Sequence, residues 1–95
     1  MVLEIAEFVI KSGSEEDFAA AYRQALPLAA ATPGFRNARL VRGVESPSTF
    51  VLLVEWDTLE AHTEGFRGSD RYPQWRALIG PFFAGDPKVQ HTVEV

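Results

Sequence analysis

Apolar residues crowd the first ten positions, where Val2, Leu3, Ile5, Phe8, Val9 and Ile10 predict a strand over residues 1–10. Lys11-Ser12-Gly13 turns the chain, and Ser14 with Asp17 three residues on has the form of a capping box that opens a helix. Phe18, Tyr22, Leu26 and Ala29 recur at three- and four-residue intervals and give that helix its buried stripe. Pro27 lacks the N–H that would bond the Arg23 carbonyl, so a bend is expected there, and Pro33-Gly34 ends the helix. Strands follow over residues 35–44 and 49–56, joined by a turn over residues 43–48 that holds Pro47. Asp57 with Glu60 is a second capping box, opening a short helix that runs to Arg67 before Gly68-Ser69 breaks it. Tyr72, Trp75, Ile79 and Phe82 share one face of a further helical piece, and residues 88–95 read as the last strand. The order βαββαβ is the split βαβ plan of a ferredoxin-like α+β domain with an antiparallel sheet.

A sheet covered by helices on one face alternates apolar and polar positions. These strands do not. Phe50-Val51-Leu52-Leu53-Val54 is apolar at both parities, and the first strand puts Leu3, Ile5 and Val9 on one face and Val2, Ala6, Phe8 and Ile10 on the other. Both faces are therefore expected to be covered, while the helices suffice for one. A second copy packing sheet to sheet about a two-fold axis, a homodimer, is the simplest cover.

Composition narrows the class. Ninety-five residues make one domain, residues 1–95, and at that size folding buries only about 60–65% of the surface the unfolded chain exposes. The chain is 46% hydrophobic and 12% aromatic, too apolar for disorder. With no cysteine, a disulfide framework, a thiolate metal site and a cysteine nucleophile are all excluded, which fits a cytoplasmic protein. The net charge of −4 has the wrong sign for nucleic-acid binding. No apolar run is long enough for a membrane span, and Glu4 and Glu7 interrupt the N-terminal stretch in a way that a secretory signal does not tolerate.

The candidates for chemistry are few. His62 and His91 are far apart in sequence, with no His-x-x-x-His or Glu-x-x-His pair, so no metal site is expected. The serines sit in turns and caps without a nucleophile elbow, and the glycines form neither a Walker loop nor a dinucleotide fingerprint. Arg36, Arg39 and Arg42 lie on the second strand, with Arg39 on the face opposite the other two; they are solvated rim residues or anchors for an anionic group. His62 shares a helical face with Leu59 and Phe66 by i, i+3, i+7 spacing, directed at the sheet. It is either a half-exposed histidine bonded to a backbone carbonyl or a neutral base that takes a proton from an acidic phenol or enol. His91, at the parity of Val89, Val93 and Val95, reads as a packed histidine. Tyr22, Trp56, Phe66, Tyr72 and Trp75 are a large aromatic set for so short a chain. They are core residues or, where the second helix breaks, the walls of a cleft for a flat aromatic ligand.

The segment Val54-Glu55-Trp56-Asp57-Thr58-Leu59-Glu60-Ala61-His62, followed by Phe66-Arg67-Gly68-Ser69, resembles the core of the antibiotic biosynthesis monooxygenase family. Lys11-Ser12-Gly13-Ser14-Glu15-Glu16-Asp17-Phe18 and Thr32-Pro33-Gly34-Phe35 extend the resemblance over nearly the whole chain. It implies a dimeric α+β barrel. The family includes cofactor-free oxygenases that turn phenols or hydroquinones of aromatic polyketides into quinones. The resemblance therefore implies a monooxygenase without cofactor or metal, acting on a small aromatic molecule; His62, read above as a neutral base, is the residue placed to take the proton. Tyr22, Trp56, Phe66, Tyr72 and Trp75 would surround the substrate, together with Asn37, because those enzymes use asparagine and tryptophan there and Asn37 is this chain's only asparagine. Haem-degrading relatives use an asparagine on strand one, a tryptophan on helix two and a histidine on the next helical piece. Here those places hold Ala6-Glu7-Phe8, Phe66 and Trp75, and all three depart. A non-catalytic or isomerising ligand-binding dimer is the alternative on the same fold.

Overall fold

A computed structural model describes all 95 residues. Strand β1 (Val2–Val9) leads to helix α1 (Glu15–Ala30), then to strands β2 (Phe35–Arg42) and β3 (Thr49–Trp56). A π-helical segment (Ala61–Phe66), helix α2 (Arg71–Ile79), a 3-10 turn (Gly80–Phe82) and strand β4 (Lys88–Thr92) complete the chain. The sheet order is β2-β3-β1-β4, antiparallel throughout, which is the expected ferredoxin-like α+β arrangement. No helix is long and apolar enough to cross a membrane.

The register of β1 on β3 sets Ala6 against Leu52 and Phe8 against Phe50, so the alternation of both strands turns the same side inward. Ala6, Phe8, Phe50, Leu52, Val54 and Trp56 are all buried on that side, beneath Phe18, Tyr22, Ala25 and Ala29 of α1 and Trp75 and Ile79 of α2. Phe18 sits edge-on to both Phe8 (5.7 Å) and Phe50 (4.9 Å), joining the first helix to the middle of the sheet. Leu3, Ile5, Val51 and Leu53 point the other way and are only half-buried in the single chain.

Local details depart from expectation where one polar group outcompetes another. Ser14 is the N-cap of α1 but makes no side-chain cap bond; the neighbouring Glu15 carboxylate instead accepts from the Gly13 N–H and the Ser48 hydroxyl. The Ser48 bond, first, lowers the Glu15 pKa. Ala25 rather than Leu26 completes the buried stripe, and α1 continues through Pro27 to Ala30. The second helical region is opened by Thr58, whose Oγ1 accepts the Ala61 N–H at 3.1 Å, and not by Asp57.

That region also winds differently. The Arg67 N–H bonds the His62 carbonyl five residues back, at 3.0 Å, which is the wide π pattern. His62 and Phe66, four residues apart, stay over the sheet, while Leu59 swings out to 41% exposure and leaves the face it was expected to share. The segment is seated on Gly34, whose φ of +93° and close approach to Ala61 exclude a side chain: an added Cβ would lie 2.7 Å from the Ala61 Cβ.

Candidate functional site

The β1–β4 ladder pairs Glu4 with His91 on the inner face of the sheet, and the π segment lowers His62 onto both. Nδ1 of His62 lies 2.7 Å from Nε2 of His91, and Nε2 of His62 lies 3.5 Å from Oε1 of Glu4. The same Glu4 oxygen accepts the Trp56 indole N–H at 2.9 Å. The Trp56 ring stacks on the His62 ring at 5.1 Å and 19°, with Phe66 stacked beyond. Each imidazole nitrogen of His62 thus has a partner, neither of them a backbone carbonyl, while the ring faces are held by aromatic neighbours.

Burial governs the charges. Desolvation, then the Arg67 guanidinium, then His91 lower the His62 pKa to about 3, so the ring is neutral. His91 is lowered by the same first two causes. Glu4 is pushed up by burial, against the opposing pull of the Trp56 hydrogen bond and of Arg67. Two neutral imidazoles share one N–H between them, and the direction of that bond follows the tautomer. A hydrogen on His62 Nε2, 3.5 Å from the Glu4 carboxylate, is favoured by that charge, and His91 Nε2–H then donates to His62 Nδ1.

A cavity of about 200 Å³ opens beside this cluster, between the sheet and the helical layer. Glu4 and His62 form its polar end, Trp56, Phe66, Tyr72 and Trp75 supply ring walls, and the exposed Arg67 and Arg76 also line it. A dry cavity of ~150 Å³ accommodates benzene, so this one suits a ligand of one or two fused rings. No group of three or more His, Cys, Asp or Glu side chains is arranged to hold a metal ion.

Of the residues singled out in the sequence, His62, Trp56, Phe66, Tyr72 and Trp75 come together around the cavity. Tyr22 does not line it; it is buried behind Trp75, edge-on at 6.2 Å, and its hydroxyl pKa is raised by burial. Asn37 stands apart altogether, exposed on the outer side of β2 opposite Glu55. Arg36 falls at a bulge in β2 and pairs with Asp57 at 3.5 Å, and Arg42 pairs with Glu16 at 3.1 Å and lies over the Phe50 ring. Arg39 lies opposite Leu53 on the outer face. Glu4, Arg67 and the pairing of the two histidines were not found from sequence. Glu4 did carry a signal, since it shares the parity of Ala6, Phe8 and Ile10, a carboxylate where the strand is otherwise apolar.

A small ferredoxin-like α+β domain with an aromatic cavity ending in a buried carboxylate and a neutral histidine is the class these features define. Residues 1–78 match the sequence profile of the family Antibiotic biosynthesis monooxygenase, and the chain belongs to that family. It is 44% identical over 95 residues to the uncharacterized protein YczJ of Bacillus subtilis, all of both chains being covered. A crystal structure from Bordetella bronchiseptica, of a protein assigned to the antibiotic biosynthesis monooxygenases, superposes with a TM-score of 0.96 at 37% identity, covering 99% of this chain and 96% of the other. SnoaB, a cofactor-independent oxygenase from Streptomyces nogalater, shares the fold at a TM-score of 0.84 and 14% identity over 98% of this chain and 91% of its own.

Proposed function

We propose that the protein is a cofactor-independent monooxygenase that oxidises a small phenol or hydroquinone with dioxygen. The observation that carries this reading is the cavity itself, four aromatic rings leading to a buried carboxylate–imidazole pair. Rings stack the substrate, and the polar end receives its hydroxyl. Ionisation turns the phenol into an electron-rich phenolate, which itself delivers electrons to dioxygen. For a phenol with a free para position, the ring C–H there becomes a carbonyl, one oxygen atom enters the ring and the other leaves as water; a 1,4-hydroquinone instead gives up two hydrogens to dioxygen, yielding the quinone and hydrogen peroxide. The chain's contribution is to orient the ring, exclude water and hold the phenolate with the His62 N–H and the Arg67 charge. SnoaB, described as a cofactor-independent oxygenase, supports the compatibility of this fold with such chemistry.

Oxygen uptake and quinone absorbance with 1,4-naphthohydroquinone and 1-naphthol, in the presence of a strong chelator, test the reading. Catalysed uptake that survives chelation is expected, and uptake no faster than the spontaneous rate overturns it. Replacing His62 with Ala removes the donor that holds the phenolate and should lower turnover by about 10²–10³-fold. A variant within a few-fold of the parent would remove His62 from the reaction. The isomerising alternative draws on the same carboxylate–imidazole pair, and an enolisable aromatic ketone exchanging its α-hydrogen without oxygen uptake would favour it.

The same reading includes a homodimer closed through the outer sheet face, forming an α+β barrel. Its support is the set Leu3, Ile5, Val51 and Leu53, which no element of the chain covers.

A further inference from the structure

We propose that Glu4 is the proton acceptor of the cavity: its Oε2 takes the proton of a phenolic hydroxyl docked between it and His62 Nε2, and His91 is a positioning residue that fixes the His62 tautomer. The proposal rests on the reading of the cavity as a phenol site and adds the destination of the proton.

Geometry carries it. Glu4 is 6% exposed and lies on the inner face of the central strand, yet no lysine or arginine forms a salt bridge with it. Both of its polar contacts, the Trp56 N–H at 2.9 Å and the His62 ring at 3.5 Å, fall on Oε1. Oε2 accepts no hydrogen bond from the protein, and no fully buried side-chain oxygen lacks a partner, so Oε2 opens on the cavity that Glu4 lines. A carboxylate oxygen left free, inside aromatic walls, is placed to receive a proton. His62 is poorly placed for that task. Its Nδ1 is taken by His91 at 2.7 Å, and its Nε2 must carry the remaining hydrogen if His91 donates. That N–H is a donor, suited to hold the phenolate oxygen that appears as the proton leaves.

The transfer balances within the pair. The phenol O–H bond breaks and its electron pair stays on the phenol oxygen, while a new O–H bond forms at Glu4 Oε2. The negative charge moves from Glu4 to the ligand, nearer the His62 N–H. The titratable or charged groups around Glu4 are His62 and Arg67 from the π segment and its exit, His91 across the β1–β4 ladder, and Tyr72 and Arg76 of α2 on the cavity wall. Burial that disfavours a carboxylate charge raises the basicity of Glu4, while burial lowers that of His62.

The test uses 4-nitrophenol, whose ionised form absorbs visible light, titrated into the protein below the pH at which the free dye ionises. In the parent the bound dye is expected as phenolate. In E4Q, whose amide oxygen still accepts the Trp56 N–H, the ionisation constant of bound dye should fall by about 10²-fold or more. His91→Gln should weaken dye binding while leaving whatever binds ionised. If E4Q does not fold, the carboxyl carbon resonance of Glu4 in the isotope-labelled parent reads the same event: it should move to the protonated position on dye binding. Equal dye ionisation in parent and E4Q, a Glu4 resonance that stays ionised, or failure of the dye to bind overturns the proposal. Dye ionisation that depends on Glu4 in a protein that oxidises no quinol supports it and retires the oxygenase reading alone.

Discussion

A proton on His62 would sit beside the Arg67 charge and away from water, and stability should register that cost as a function of pH. The pKa of His62 falls from 6.5 in the unfolded chain to about 3 in the fold. Between those values the unfolded state binds the extra proton, so acid favours unfolding and stability rises with pH across the window. From about pH 7.5 down to about pH 5 this one ring should remove about 2 kcal/mol. Glu4, raised above 4.5, has the opposite sign: its burial is tolerated while it is protonated and weighs against the fold as pH rises through its folded pKa. Comparing the parent with His62→Gln by urea unfolding at both pH values isolates the histidine. The parent's advantage should shrink by about 2 kcal/mol on acidification, and a constant difference would mean that His62 is not held neutral. Residue-scale legibility was uneven in an instructive way. His62 was found because a titratable ring on an apolar face is conspicuous, whereas Glu4 passed as an interruption of the first strand. Its parity with Ala6 and Phe8 becomes informative only once the strand's inner face is known.

The π-helical segment is the element that turns a spacing into a site. An i, i+3, i+7 stripe assumes regular α winding, and that assumption placed Leu59 beside His62. The wider turn leaves Leu59 outside and keeps His62 and Phe66 above Trp56. Nothing in the local sequence announces such winding, because it is set by what the segment rests on, including the bare backbone of Gly34. Gly34→Ala should therefore destabilise the protein by about 1–3 kcal/mol, from the positive φ and the collision with Ala61 together. A melting temperature lower by about 4–8 °C per kcal/mol is the expected readout. Gly85→Ala, where an added Cβ meets nothing within 4 Å, should stay within about 0.5 kcal/mol of the parent and serves as the control. Strand β3 shows the reverse case. Its limits, residues 49–56, were readable because a polar turn and a capped helical start bracket it, and its side chains obey strict alternation.

At the scale of the molecule, the βαββαβ order followed from apolar spacing and its turn and cap punctuation, while the cluster that links the two ends of the chain did not, since pairing of distant strands is invisible to local periodicity. The double apolar parity of β3 has its counterpart in an outer sheet face of Leu3, Ile5, Val51 and Leu53, bordered by Glu7, Glu55, Arg39 and Lys88. Leu53 sits at its middle, between Ile5 and Arg39. If this face joins two copies, Leu53→Lys should yield a folded monomer in sedimentation experiments at micromolar concentration, where the parent is a dimer. A parent that sediments as a monomer would instead leave that face as bare apolar surface and refute the pairing.

The strand order has a consequence for how the protein is made. Strand β1 leaves the ribosome before β3 and β4 yet lies between them, so one of its hydrogen-bonding edges waits for β3 and the other for β4. The event that closes its second edge is the docking of β4, which also brings His91 against His62 and opposite Glu4. A nascent or partly unravelled chain holds Glu4 against open water, with its ordinary acidity and no aligned imidazole. The proposed proton transfer from a phenol therefore has no site until β4 docks, and the last strand acts as the safety catch of the fold.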